Sequence, residues 1–337
     1  MNILIIKLGA IGDVIRTTAI LPGLKEKYKG CSISWITKRE SFEVLKANKL
    51  VDRVFLIENV NNGIKNDSYD MAISLDDDND SCRLASEIGH KDIVGAYLDN
   101  GKKLYTQDSS LWFDMGLISK FGKKQADKLK AQNRKTYQQI MYEIIGLDYK
   151  KQEPMLALTN GEINFGKTFA EKNGIKNNEL VFGINTGAGG RWQDKKLGME
   201  ETAFLIDSLN KEMPDAKLLL FGGPEERERN EKIKKAAKTH VIDAGCDNSL
   251  MEFASLVNLC AILVTSDSLA LHIGTALKKR IVAFFAPTGP QEIELYSRGI
   301  KIIPKKGCVC CYKPKCDIPP EWDIYEIVSA AKKLAKT

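Results

Sequence analysis

The sequence predicts an α/β protein of two domains, each built on a parallel sheet, and three observations carry that reading. Short apolar runs suited to strands buried on both faces alternate with stretches of helical periodicity in both halves of the chain. The length, 337 residues, exceeds what one hydrophobic core usually organises. The glycine-bearing and polar turns fall where an apolar run hands over to a helix, which is where open α/β sheets place their ligands.

Residues 3–6 form an uninterrupted apolar run, and residues 13–28 follow with helical periodicity. In the turn between them Gly9 and Gly12 let the backbone approach a ligand closely, and Asp13 sits in the first helical turn, where it is a cap or a base. The turn is not GxGxxG, and no GxxxxGK[ST] occurs, which argues against a dinucleotide fingerprint and a P-loop. A strand over 71–75 precedes Asp76-Asp77-Asp78-Asn79-Asp80, whose DxD spacing could hold a hard cation. With no glycine-rich phosphate turn beside it, the run reads as a solvated acidic loop after the strand.

Basic residues concentrate at Lys120, Lys123, Lys124, Lys128, Lys130, Arg134 and Lys135, within a modest net charge of +6. The segment is either a solvated helix face or a patch for anionic lipid headgroups or a phosphorylated acceptor. Nucleic acid is not an expected partner, since neither zinc-finger spacing nor an RNA-recognition aromatic motif accompanies the patch. Residues 150–178 are polar, carry Pro154 and contain one helix over 162–173, which puts a domain boundary near residue 160.

The second half repeats the pattern. A strand over 180–184 runs into Gly187-Ala188-Gly189-Gly190, with Arg191, Lys195 and Lys196 before a helix that begins near Met199. A strand over 217–221 runs into Gly222-Gly223-Pro224-Glu225-Glu226, and a charged helix follows over 227–238. Residues 261–290 then read as strand, acidic turn, helix and strand. Ser266, Asp267 or Ser268 caps that helix, whose N–H groups and positive dipole end form a seat for a phosphate, with His272 one turn further on.

Of eight cysteines, Cys31, Cys82, Cys246 and Cys260 are scattered as small apolar residues, while Cys308, Cys310, Cys311 and Cys316 cluster. Cys308-x-x-Cys311 with Cys316 could supply thiolates to zinc or an iron–sulfur cluster; a loop that shapes the site without metal is the preferred reading. Pro319-Pro320 precede a final amphipathic helix over 322–335.

These residues together resemble glycosyltransferase family 9, the family of the ADP-heptose:lipopolysaccharide heptosyltransferases. The resemblance rests on KLGAIGDVIRTTAILPGL, NTGAGGRWQDKKLGMEETAFLIDSL, FGGPEE and SDSLALHIGTALKKRIVAFFAPTGP, and covers nearly the whole chain. Leu269 stands where the family usually has Gly, and Leu197-Gly198 where it usually has Trp-Pro. The resemblance implies the GT-B architecture, two Rossmann-like domains facing across a cleft. Residues 1–160 would form the acceptor domain and residues 161–321 the nucleotide-sugar domain, with helix 322–335 packing back on the first.

It further implies an inverting, metal-independent transferase without a cofactor. The enzyme would move a heptose or related sugar from a nucleotide diphosphate, ADP-heptose, to a lipopolysaccharide-core or similar lipid-linked saccharide. Asp13 would be the catalytic base, with Lys7 and Arg16 on the acceptor side. Thr186, Gly187 and Lys195 would serve the donor diphosphate, Glu226 the donor ribose, and Asp267, Ser268 and His272 the sugar-diphosphate. Two other readings stay open: a GT-B sugar-nucleotide epimerase or hydrolase, and a metal or redox module built on residues 308–316.

No apolar run approaches the ~20 residues of a membrane span. The run at 3–6 meets Lys7 and Asp13 too soon for a secretory segment. A cytoplasmic protein is expected, with peripheral contact at the inner face of the cytoplasmic membrane as an extension of the basic patch.

Overall fold

The computed structural model describes residues 1–60, 64, 67–190 and 192–337. The chain divides into two compact units, one of Met1–Ala157 with Gln291–Glu294, the other of Leu158–Pro290 with Leu295–Thr337.

The first unit holds a six-stranded sheet of β1 (Asn2–Ile6), β2 (Ser32–Thr37), β3 (Arg53–Leu56), β4 (Tyr69–Ser74), β5 (His90–Asp99) and β6 (Lys102–Tyr105), in the order β3-β2-β1-β4-β5-β6. Every pairing is parallel except β5 with β6. The central strand β1 is buried from Ile3 to Ile6, as its continuous apolar run requires when helices cover both faces. Leu4, Ile6, Ile36, Leu84 and Ile88 make one of the clusters beneath it.

The second unit repeats the order with β7 (Val181–Asn185), β8 (Lys217–Phe221), β9 (Ile242–Asp243), β10 (Ile262–Ser266), β11 (Arg280–Phe284) and β12 (Gly299–Ile302), arranged β12-β11-β10-β7-β8-β9 and parallel throughout. Both sheets thus carry the doubly wound Rossmann order. In each, the strand order reverses at one place, β1/β4 in the first and β7/β10 in the second, and that reversal opens a crevice at the carboxyl ends of the strands.

Local chemistry sets several helix bounds. Residues 13–28 are not one helix but two, Ile11–Thr17 and Ile20–Lys27. Pro22 has no N–H, and its ring collides with the carbonyl four residues back, that of Thr18, so the helical ladder cannot run through residues 18 and 19. Tighter bonds bridge the break, Ala19 to Arg16 at 3.4 Å and Leu21 to Thr18 at 3.1 Å. Helix Asn160–Lys172 starts from a capping box of Thr159 and Glu162.

The last helix, Ile324–Ala335, corrects an expectation. Its apolar face, expected against the first unit, belongs to the second: Ile327, Val328, Ala331 and Leu334 join that core, against β11 and helix Met199–Glu212. Its apolar stripe matches that sheet, and Arg280 of β11 donates to the Leu334 carbonyl at 2.6 Å. Among the described residues no helix is long and apolar enough to cross a membrane.

Candidate active site

In the first unit, Lys7 leaves the end of β1 and Asp76 follows β4, so the two meet across the switch point. The Lys7 ammonium is 3% exposed; it pairs with Asp76 and donates to the Leu75 carbonyl at 3.2 Å. The other Asp76 oxygen accepts the N–H groups of Leu8 at 2.6 Å and Gly9 at 2.8 Å. Burial pulls the Lys7 pKa down, but the charge of Asp76, with Tyr137 and Asp13 behind it, outweighs burial and raises it well above the ordinary lysine value.

This geometry corrects three expectations. The Lys7 ammonium, expected on the acceptor side, is turned onto Asp76 and the Leu75 carbonyl, since a desolvated ammonium needs a carboxylate beside it. The room opposite Gly9 is taken by that carboxylate: a Cβ on Gly9 would lie 2.9 Å from Asp76 Oδ1. The run 76–80 is not merely a solvated loop either, since Asp78 caps helix Asn79–Glu87 by accepting from Asp80 and Ser81 at 3.0 and 3.1 Å.

Asp13 lies in the first turn of helix Ile11–Thr17, but Ala10 holds the N-cap position, so Asp13 is not the cap. Its side chain is 34% exposed and pairs with Arg16, one turn on, at 2.8 Å. Arg16 in turn lies over the Tyr137 ring, 3.8 Å from guanidinium carbon to centroid, with Trp112 at 5.9 Å. The Tyr137 hydroxyl lies 2.6 Å from Thr17 Oγ1. A planar guanidinium stacked on an aromatic face keeps its fork fixed, so Arg16 holds the Asp13 carboxylate in one orientation. Nothing in the local sequence pattern links Tyr137 and Trp112 to Arg16.

In the second unit, Asn185 at the end of β7 donates to the Gly187 carbonyl at 2.7 Å and lies 3.1 and 3.2 Å from the hydroxyls of Thr265 and Ser268. It thereby ties the glycine turn to the end of β10. Lys195, in the short turn Gln193–Lys195, is 8% exposed and donates to the carboxylate and the carbonyl of Asp267, both at 2.9 Å. His272 Nε2 lies 3.9 Å from the other Asp267 oxygen. Burial pushes the Asp267 carboxyl up, but the Lys195 charge, His272 and the Lys195 hydrogen bond prevail and hold it at about 2.

Ser268 is the N-cap residue of helix Leu269–Ala276, yet its hydroxyl faces Thr265 at 3.0 Å and makes no cap bond to the helix amides. Lys196 and Glu226 form a second pair at 2.5 Å beside the same turn, and Glu226 also accepts the Gly223 N–H at 3.1 Å. A Cβ on Gly187 would lie 3.0 Å from Glu226 Oε2, so glycine there makes room for that carboxylate.

The structure therefore gathers Gly187, Lys195, Glu226, Asp267, Ser268 and His272 around one crevice, together with Lys196 and Asn185. Thr186 differs: its hydroxyl turns inward, 2.9 Å from the Phe221 carbonyl and 2.7 Å from the Asn230 amide. It fixes the strand end and does not offer its side chain to a ligand. Arg191 lies outside the described residues. Leu197 fills the core and Gly198 opens helix Met199–Glu212, its N–H bonded to Glu201 at 2.6 Å, which accounts for the Leu-Gly pair.

The family model for glycosyltransferase family 9 (heptosyltransferase) matches residues 57–320. No curated protein matches the chain by sequence. Among solved structures, the glycosyl transferase family 9 protein of Veillonella parvula DSM 2008 aligns with 100% of this chain and 98% of its own, at 18% identity and a TM-score of 0.79. The E. coli ADP-heptose LPS heptosyltransferase II aligns with 99% of this chain and 98% of its own, at 17% identity and a TM-score of 0.70. The E. coli heptosyltransferase WaaC, solved with ADP, aligns with 100% and 97%, at 15% identity and a TM-score of 0.61. These likenesses give the fold, GT-B, with its two Rossmann-like units. With the family model spanning most of its length, the chain belongs to glycosyltransferase family 9.

Proposed function

We propose that this protein is an inverting glycosyltransferase that moves a heptose or closely related sugar from ADP-heptose to a saccharide on a membrane lipid, of the lipopolysaccharide-core type. The observation that carries the reading is the Lys195–Asp267 pair at the β7/β10 switch point, beside a second lysine–carboxylate pair and an N-terminus whose cap residue makes no side-chain bond to it. Lysines and helix amides aimed at one crevice favour a group carrying several negative charges, as a nucleoside diphosphate does. ADP is the nucleotide in the WaaC structure, which supports adenine as the base.

In this reading the acceptor hydroxyl gives its proton to the Asp13 carboxylate as its oxygen bonds to the anomeric carbon, and the bond from that carbon to the diphosphate oxygen breaks on the opposite face. The released charge stays on the nucleoside diphosphate, stabilised by Lys195, Lys196 and the amides that begin helix Leu269–Ala276. Glu226 is buried beside the glycine turn, where a carboxylate suits a ribose hydroxyl. Protein charge then does the work of a cation at the diphosphate, so transfer needs neither Mg²⁺ nor Mn²⁺.

The acceptor's lipid finds support at the surface. Leu117 is 84% exposed and Phe121 is 53% exposed, beside the exposed Lys120, Lys123, Lys124 and Lys128. Apolar side chains among lysines suit the interface of an anionic membrane, with each basic residue near the surface contributing about 1 kcal/mol.

The test is transfer from a panel of ADP-, UDP- and GDP-sugars to lipid-A-core saccharides, with and without acceptor and with and without added Mg²⁺ or Mn²⁺. Acceptor-dependent release of ADP, unchanged by the cations, is expected. Release of nucleotide without acceptor would make the protein a hydrolase, and strict dependence on Mg²⁺ would overturn the diphosphate assignment.

A further inference from the structure

The loop between β12 and the last helix is held by polar contacts rather than by a core of its own. Val309 is 39% exposed and Ile318 is 62% exposed. Backbone bonds fasten it on several sides: Cys308 N–H to the Ile318 carbonyl at 3.2 Å, Cys310 N–H to Ala286 at 2.9 Å, Tyr312 N–H to Pro287 at 2.8 Å, and an isolated bridge between Lys306 and Glu321. Cys316 N–H donates to the Asp194 carboxylate at 2.6 Å, next to Lys195 in the same short turn. Cys310 and Tyr312 sit in the left-handed region, φ 58° and 51°. Such residues cost on the order of 1 kcal/mol or more each and persist only where the surroundings over-determine them.

What this conformation brings together is three sulfurs. The Sγ atoms of Cys308, Cys311 and Cys316 all lie within 4.8 Å of one another, with Cys311 and Cys316 at 3.6 Å. Sulfurs bound about 2.3 Å from one tetrahedral ion stand roughly 3.8 Å apart. The Cys311–Cys316 separation is already close to that edge, and a small inward movement of Cys308 completes a triangular face. A disulfide would use only two of the three. The four scattered cysteines, Cys31, Cys82, Cys246 and Cys260, are each buried elsewhere, and among the described residues neither they nor Cys310 join such a group.

We propose that Cys308, Cys311 and Cys316 form a three-thiolate site for a thiophilic divalent cation, Zn²⁺ or Fe²⁺, with the fourth tetrahedral position filled by water, and that the ion pins this loop to the end of β11 and to the turn Gln193–Lys195. Between residues 303 and 323 only Pro304, Cys316 and Trp322 are buried, so a bound ion adds cohesion where packing is thin. The three sulfurs meet whatever reaction the strand-end lysines serve.

The full-length protein, purified under reducing conditions, is stripped with chelator, desalted and titrated separately with Zn²⁺ and with anaerobic Fe²⁺, with bound metal counted by mass spectrometry. About one equivalent of one of these ions is expected, together with a higher Tm; which ion binds more tightly distinguishes the two. Cys311→Ser and Cys308→Ser lower the bound metal at least tenfold and abolish the metal-dependent rise in Tm, whereas Cys310→Ser keeps both. If a variant folds poorly, Co²⁺ titration of the wild type reads the site directly through thiolate-to-metal charge-transfer absorption. Fewer than about 0.1 equivalents of either ion, or loss of metal from Cys310→Ser as large as from Cys311→Ser, would overturn the proposal. A Cys311–Cys316 disulfide in the reduced preparation would do the same.

Discussion

Each of the two sheets places a lysine–aspartate pair at its switch point, and the pairs differ in what surrounds them. Lys7–Asp76 is sealed: the lysine is 3% exposed, and the aspartate also accepts two amides of the turn that leads to Asp13. Lys195–Asp267 faces a glycine turn, a helix start and a second pair, Lys196–Glu226, whose lysine side chain is 20% exposed. The same strand order therefore supports two different uses of buried charge. In the first unit it fixes the turn that leads to Asp13, whose side chain is 34% exposed; in the second it lies beside a glycine turn and the start of a helix.

Replacing the residues on either side of that contrast gives graded outcomes. Asp13→Asn is expected to lower kcat by about 10²–10⁴ with donor affinity unchanged, because only proton transfer is removed. Equal turnover at saturating substrates would take the base away from Asp13. Lys195→Ala is expected to cost about 10²–10³ in kcat/KM for the donor while leaving acceptor KM within a few-fold; an effect confined to acceptor KM would reverse the roles assigned to the two units.

Lys7→Ala tests the sealed pair. It leaves Asp76 buried without its partner and is expected to destabilise the protein by about 3–5 kcal/mol in urea unfolding. A loss of activity at full stability would show instead that Lys7 acts on substrate.

The smallest effect concerns pH. The Asp267 carboxyl is held at about 2 in the folded protein, against about 3.9 in an unfolded chain. A depressed carboxyl contributes stability above the unfolded value and loses it as pH falls towards the folded one. That contribution is roughly 2–3 kcal/mol at neutral pH. The stability gap between wild type and Asp267→Asn should therefore be widest above pH 4 and narrow between pH 4 and 2. A gap independent of pH would mean that the Asp267 charge is not held by Lys195.

The sequence was legible where the physics is local. Strand β1 announces itself as a continuous apolar run, and β10 as a run ending in Thr265, Ser266 and Asp267, because a strand covered on both faces has no polar alternation to hide it. Strand β5 carries no comparable signal, because its HKDIVGAYLD pattern is half-exposed. The site followed the same rule. Glycine turns and capping-type residues pointed to Gly187, Asp267 and Ser268, whereas Tyr137 behind Arg16 and Asn185 behind Gly187 depend on contacts between distant segments.

By itself, then, the sequence determined the α/β class, the two parallel-sheet units, the strand-end turns and the family, since apolar periodicity and turn chemistry are properties of neighbouring residues. Only the tertiary structure decided which charges face each other. It turned Lys7 inward onto Asp76, set Thr186 against Asn230, packed the last helix in the second core and drew three cysteines together. A buried charge must find its partner wherever the fold brings one, and an apolar stripe packs on whichever sheet it fits, so neither outcome is written in the spacing of residues along the chain.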